Sequence, residues 1–346
     1  MRIVLISALL AGLAGCATPV PPPVEQEVVV APEAAEAEAG VSAAIEPLPE
    51  PRDRPPAPAS VTDPGIPLEQ RKDNFVAYAT ANYGVDADTV RAALQQAEFQ
   101  QSIVDAMSRP AEKVRSWADY RPIFMTDARI RDGQAFYREH REALERVSAA
   151  TGVPAEYIVA IIGVETSYGR ITGSYRVLDA LYTLAFHYPK RAPFFAAELA
   201  HLFALSREEH VDVSTIKGSY AGAMGWGQFM PSSYRIWGKD GDGDGHRDLL
   251  GDTDDIFASI ANYFADHGWV RGQPVAARAD RDPGARDLAP DSPKPRWTLA
   301  ELAELGYAPR AGEPVPSDAA ARATVVGFDG ADGREYWIGY RNFYVI

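Results

Sequence analysis

Residues 158–165 read Ile-Val-Ala-Ile-Ile-Gly-Val-Glu, an apolar run that ends on an acid. Ile162 and Ile161 stand three and four residues before Glu165, and Ile158 stands seven before it. At helical period these four side chains share one face. The chain must therefore fold around an apolar helix that carries a carboxyl group on its inward stripe. An acid there is costly unless it is paired or protonated. It also falls in the last turn, where the helix dipole disfavours negative charge. Both effects raise the pKa of a carboxyl group. A carboxylic acid held neutral near pH 7 is what protonation of a glycosidic oxygen requires.

Helical signals begin near Leu68 and continue to about Phe264. Asp86 or Asp88 can cap a helix that runs through Gln96. Residues 133–150 read as one further helix, Pro154 opens the helix of Glu165, and Gly169 is placed to stop it. Residues 178–186 and 194–205 continue the pattern. After Gly268 the character changes. Residues 273–292 are turn-rich and polar, whereas 323–328 and 334–346 read as β structure. Asp329-Gly330-Ala331-Asp332-Gly333 between them reads as a hairpin loop. The expected fold class is mainly α, of the α+β kind, with a helical body and a small β unit near the C-terminus. No internal repeat is apparent.

The first residues bear on location. Met1-Arg2 is a short basic start, and the eleven apolar or small residues from Ile3 to Leu13 are too few to span a bilayer. This reads as a signal peptide over 1–16. Cys16, the only cysteine, follows Leu13-Ala14-Gly15 directly, which resembles a bacterial lipobox with Cys16 as the lipidated residue. A lone cysteine excludes an intramolecular disulfide. Residues 17–67 are rich in Pro, Glu, Ala and Val and should form an extended tether. Nine acidic residues against two basic ones give the tether half of the formal net charge of −14. The remainder is still acidic, so nucleic acid is not an expected partner. A lipid anchor with a long arm suits an enzyme that reaches an insoluble target from a membrane. Ala17 after the cysteine points to the outer membrane.

A second feature is the glycine-rich stretch Lys217-Gly218-Ser219-Tyr220-Ala221-Gly222-Ala223-Met224-Gly225-Trp226-Gly227-Gln228-Phe229-Met230-Pro231. Its glycines allow close backbone approach. Its interleaved aromatics, with the amide of Gln228, suit sugar rings and N-acetyl groups. The same glycines also fit a tight helix crossing.

A third is Asp240-Gly241-Asp242-Gly243-Asp244-Gly245-His246, which matches the first half of a calcium loop. Carboxylates at alternate positions converge, and the seventh residue, His246, offers its carbonyl. Position twelve, normally a bidentate Glu, is Gly251, with Asp252 and Asp254 just beyond. Oxygen ligands alone favour calcium over zinc. The plain alternative is an acidic surface turn.

Gly163-Val164-Glu165-Thr166 with Gly169, followed by Ala221-Gly222-Ala223-Met224-Gly225-Trp226-Gly227-Gln228-Phe229-Met230-Pro231-Ser232-Ser233-Tyr234, resembles the membrane-bound lytic murein transglycosylase B family. Leu178-Asp179-Ala180-Leu181, Tyr188-Pro189-Lys190-Arg191, Asn262-Tyr263-Phe264 and Asn342-Phe343-Tyr344-Val345-Ile346 add to the likeness. The resemblance implies a lysozyme-like helical core with calcium loop over 151–268, an N-terminal helical domain over 68–150 and a small β unit over 269–346. It implies cleavage of the bond between N-acetylmuramic acid and N-acetylglucosamine in peptidoglycan without net hydrolysis, leaving a 1,6-anhydro end. Glu165 would be the single acid and base. By the same resemblance Ser219 and Tyr263 lie near the acid, Gln228 and Tyr120 contact sugar, and Arg191 with Lys190 faces peptide or lactyl carboxylates. The family's lengthened loop favours Asp254 over Asp252 as the closing calcium ligand.

Two other readings remain open at this level. One is a hydrolytic muramidase, disfavoured by the lack of a second carboxylate in either apolar motif. The other is a calcium-dependent peptidoglycan-binding scaffold, for which a costly acid on a buried face has no use. In the family, the strand resembled by residues 342–346 runs on into a terminal helix that completes the groove. A shorter form is expected to be less stable and less active.

Overall fold

The structure is a computed structural model that describes residues 56–108, 115–288 and 292–346. The expected signal peptide, Cys16 and most of the tether fall outside the described residues. The end of the tether does not read as expected. Ala59–Thr62 is a short helix with Val61 and Thr62 buried, and Asn74 donates to Ser60 O at 2.8 Å. Buried Ala57, Val61 and Thr62, with the Asn74 bond, tie this proline-rich stretch to the fold.

The described residues form two compact units, one from 56–108 together with 132–263, the other from 115–131 together with 264–346. The first is helical. At its centre lies Val177–His187, in which every residue from Val177 to Phe186 is buried. A helix buried all round needs partners for its polar side chains. Asp179 accepts from the Glu98 backbone N–H at 2.8 Å and pairs with Arg176 at 2.6 Å, and the Thr183 hydroxyl accepts from Gln100 N at 3.0 Å. The early helices Leu68–Tyr83, Ala87–Gln96 and Gln101–Ser108 are thus tied into the same body. Asp86, the first of the two capping residues foreseen, accepts from Thr89 N at 2.7 Å. Ala192–Glu209 packs along the central helix, and Phe75 meets Phe186 and Phe203 between them. The stretch 133–150 is two helices, Asp127–Glu139 and Arg141–Thr151, broken at His140. His140 is held there against Phe136 and Phe257 at 4.5 and 5.5 Å.

The second unit is built on an antiparallel sheet of order β4-β3-β6-β5, with β3 Ala276–Arg281, β4 Tyr307–Pro309, β5 Thr324–Gly330 and β6 Gly333–Gly339. Ala277, Ala279, Tyr307, Val325 and Ile338 form its core with Leu302 and Tyr340. Gly330 pairs with Gly333, so the expected hairpin is a two-residue turn. Two expectations are corrected here. The polar stretch 273–292 contains strand β3, an alanine-rich segment that its neighbours β4 and β6 place by pairing rather than by β-propensity. Residues 334–346 are not one β segment, because Arg341–Val345 is helical. Fully buried Asn342 fixes that turn by accepting from Val270 N at 2.7 Å and donating to Val270 O and Gln273 O at 2.9 Å. Trp117–Phe124, the helix of Tyr120, joins this unit through Trp117 against Phe328 at 5.0 Å.

Candidate active site

The helix of Glu165 spans Ala155–Thr166 behind Pro154. Ile158 and Ile162 are fully buried, while Ile161 and Glu165 are half-buried. The stripe read from the sequence is therefore real, with the acid at its exposed edge. Gly169 does not stop the helix. Ser167 and Tyr168 already have φ of 50° and 64°, and Gly169 follows at 79°. Two successive non-glycine residues in the left-handed region are strained, and such strain persists only where the surroundings over-determine it.

Those surroundings can be named. The Thr166 side chain, 1% exposed, donates toward Ile162 O at 3.1 Å and Trp226 O at 3.0 Å and accepts from Gly169 N at 3.0 Å. Ile171 N closes on Thr166 O at 2.9 Å. The Tyr168 ring lies over Gly163, where any Cβ would come within 2.7 Å of it, and meets Phe136 at 5.5 Å. Arg170 pairs with Asp132 at 2.6 Å.

The glycine-rich stretch is a chain of tight turns, not a helix crossing. β1 Tyr175–Arg176 pairs with β2 Lys217–Gly218, and Gly218, Met224 and Phe229 bridge in succession. Ser219 is buried and closes the first turn, donating from its N–H to Ala223 O at 2.8 Å and accepting from Ala223 N on Oγ at 3.1 Å. Gln228, at φ 50°, donates from Nε2 to Thr172 O at 3.2 Å and Gly225 O at 3.0 Å. Both donations hold backbone, which leaves the side-chain carbonyl as the group Gln228 can offer to a ligand. Tyr263 stands edge-on to Phe229 and Trp237 at 6.1 and 5.0 Å. The two motifs meet through the Thr166–Trp226 and Gln228–Thr172 bonds, which place the end of the glutamate helix beside the glycine turns.

Tyr120 belongs to the sheet-bearing unit, half-buried against Phe124. Lys190 and Arg191 are exposed on the turn Pro189–Arg191, where Arg191 covers the Phe194 ring at 4.4 Å. Thr166, Tyr168 and Trp226 were not singled out in the sequence. The Thr side chain directly after the acid was the one local signal.

In the acidic loop, oxygens of exposed Asp240, Asp242 and Asp244 lie within 4.8 Å of one another. Backbone N–H groups organise them: Gly243 and Gly245 donate to Asp240, Asp244 to Asp242, and His246 to Asp244. Three exposed carboxylates in that space fit a hard divalent cation. Asp254 does not join them. It pairs with Arg146 at 2.7 Å, and Asp252 caps the following helix through Asp254 N and Asp255 N. A residue absent from the sequence reading, Asp255, ties the two arms together by accepting from Gly241 N and Asp248 N, both at 2.6 Å. Desolvation pushes the Asp255 carboxyl up, those N–H groups oppose it, and the charges of Asp252 and Asp242 add to the rise.

Residues 68–346 match the family described as the transglycosylase SLT domain. The chain is 39% identical over 281 residues to membrane-bound lytic murein transglycosylase B of Escherichia coli, covering 79% of this chain and 76% of that one. It superimposes with a TM-score of 0.69 on the E. coli lytic transglycosylase SLT35 in complex with calcium, at 38% identity over 79% of this chain and 84% of that one. It also superimposes with a TM-score of 0.71 on Pseudomonas aeruginosa SltB3 in complex with NAG-anhNAM-pentapeptide, at 32% identity over 80% and 73%. These likenesses take in the glutamate helix, the glycine turns and the acidic loop, and the fold is the lysozyme-like one of SLT35. The chain belongs to the transglycosylase SLT domain family.

Proposed function

We propose that this protein is a peptidoglycan lytic transglycosylase in which Glu165 is the single acid and base. One observation supports this above the rest: a half-buried Glu at the end of a buried stripe, on a strained turn cross-linked to the glycine segment through Thr166. Glu165 donates its proton to the glycosidic oxygen as the bond to N-acetylmuramic acid breaks. The substrate's own N-acetyl group stabilises the developing positive charge at C1. Glu165, now ionised, takes the proton of the C6 hydroxyl, whose oxygen closes on C1. Atoms balance without water, and the product is a 1,6-anhydro end. Ser219, Tyr263 and the Gln228 carbonyl line the sugar, Tyr120 adds an aromatic face, and Lys190 with Arg191 meets carboxylates.

Asp240, Asp242, Asp244 and the His246 carbonyl would hold a calcium ion, with Asp254 or Asp252 closing the set. Such an ion supplies rigidity to the loop and takes no part in bond cleavage. For Asp254 this requires release from Arg146. Cys16 carries the lipid that holds the enzyme on the periplasmic face of the outer membrane. Cys16→Ala should release it into the soluble fraction.

Digestion of purified sacculi followed by mass spectrometry of the fragments tests the reaction. Anhydro ends support it, whereas reducing ends would identify a hydrolytic muramidase.

A further inference from the structure

Beside the Gln228 turn lies a cavity of about 360 Å³ that the catalytic account does not use. It is lined by Thr172 and Gly225, by Asp212, Thr215 and Lys217 from the approach to β2, and by apolar groups including Leu250. Gln228 marks where it begins, since its amide nitrogen holds the carbonyls of both Thr172 and Gly225. The cavity thus borders the glycine turns.

The lining has a definite chemistry. Lys217 is exposed and makes no ion pair among the described residues, in a chain of net charge −14. Its backbone is fixed by pairing with Arg176, and its flexible stem lets the ammonium reach over the cavity wall. Thr172 and Thr215 contribute hydroxyl groups at the wall. Asp212, whose carboxylate already accepts from Ser214 N at 2.8 Å, stands in the same wall. A dianion such as phosphate would be repelled by Asp212. A peptide that offers one carboxylate, amide N–H groups and small apolar side chains matches the whole set.

We propose that this cavity is a subsite for the peptide branch of the glycan strand, with Lys217 receiving a peptide carboxylate. The proposal rests on the glycan-cleaving function above and assigns specificity to a place that Glu165 chemistry does not need.

The test compares intact, peptide-bearing sacculi with glycan strands stripped of peptide by an amidase. For Lys217→Gln, kcat/KM on peptide-bearing substrate should fall about fivefold, through KM, because a charge-assisted contact at a half-open site is lost. On stripped strands it should change less than about twofold, and Lys217→Arg should restore most of the loss. An equal fall on both substrates, or no fall on either, overturns the proposal. Titration of the enzyme with a soluble muramyl tripeptide gives a readout that does not depend on cleavage. Weaker binding by Lys217→Gln is expected, and unchanged binding counts against the subsite. If wild-type enzyme leaves anhydro ends on neither substrate, the cleavage function fails, and this titration still decides the fate of the cavity.

Discussion

The turn after Glu165 and the acidic loop after Lys239 are both sharp and are held in opposite ways. The first is locked from within. The nearly buried Thr166 hydroxyl, the Tyr168 ring over Gly163 and the Arg170–Asp132 pair fix two strained residues without help from a ligand. The second is open. Its three carboxylates are exposed and lie close together, steadied by the loop's own N–H groups and by Asp255. Rigid geometry built into the fold is what a proton-transfer group needs. Mutually repelling carboxylates gain rigidity only when a cation joins them. The two loops are joined structurally, because Gly225 of the glycine turns packs directly against the Leu249 carbonyl at the loop's exit.

The largest expected effect falls on the first turn. Glu165→Gln should lower activity at least on the order of a hundredfold with the melting temperature nearly unchanged, since the amide keeps the shape and cannot donate the proton. Activity near wild type would remove Glu165 from the mechanism.

Calcium should act on the second loop alone. At a hundredfold excess over its Kd it should add about 3 kcal/mol of stability, seen as a rise in melting temperature. Asp244→Ala should erase most of that rise and leave the Glu165 turn intact. A melting curve indifferent to chelator would make the loop a plain acidic turn.

Thr166→Val keeps the volume and removes the hydroxyl. It should cost about 2 kcal/mol by leaving the Trp226 carbonyl and the Gly169 N–H short of a partner. It should also lower kcat, because the acid's turn loosens. A variant as active as wild type would show that the turn does not depend on this residue.

The smallest effect is a pH dependence beneath the acidic loop. Burial works against ionisation of Glu208, but its bonds to Arg235, with the charges of Arg235, Arg247 and Arg207, hold the carboxyl below its ordinary value of 4.5. A folded pKa below the unfolded one gives stability that is present above the unfolded value and lost as pH falls through the folded one. In calcium-free buffer, an acid titration should therefore show a loss on the order of 1 kcal/mol below pH 4.5 that Glu208→Gln lacks.

The difference between the loops also explains what the sequence could reveal. The isoleucine stripe of Glu165 and the Asp-Gly alternation are short-range patterns, and both are in place. The helices around Val177–His187 follow their period, and Asp86 caps as foreseen. What was missed depends on distant partners. Strand β3 exists because β4 and β6 flank it, and 341–345 is helical because Asn342 reaches Val270 and Gln273. The helix stop at Ser167 rather than Gly169 reflects strain imposed by Thr166, Trp226 and Tyr168. The resemblance favours Asp254 as a calcium ligand, and its carboxylate pairs in this structure with Arg146, more than a hundred residues away. Gln228 was read as donor and acceptor, and its donors are spent on the fold.

The central claim is that one carboxyl group completes the reaction with the substrate's own hydroxyl in place of water. Digestion of sacculi in heavy-oxygen water, with mass analysis of the new glycan ends, tests it directly. The account predicts anhydro ends that carry no label. Ends that take up one labelled oxygen at cleavage would show that water attacks C1 and would contradict it.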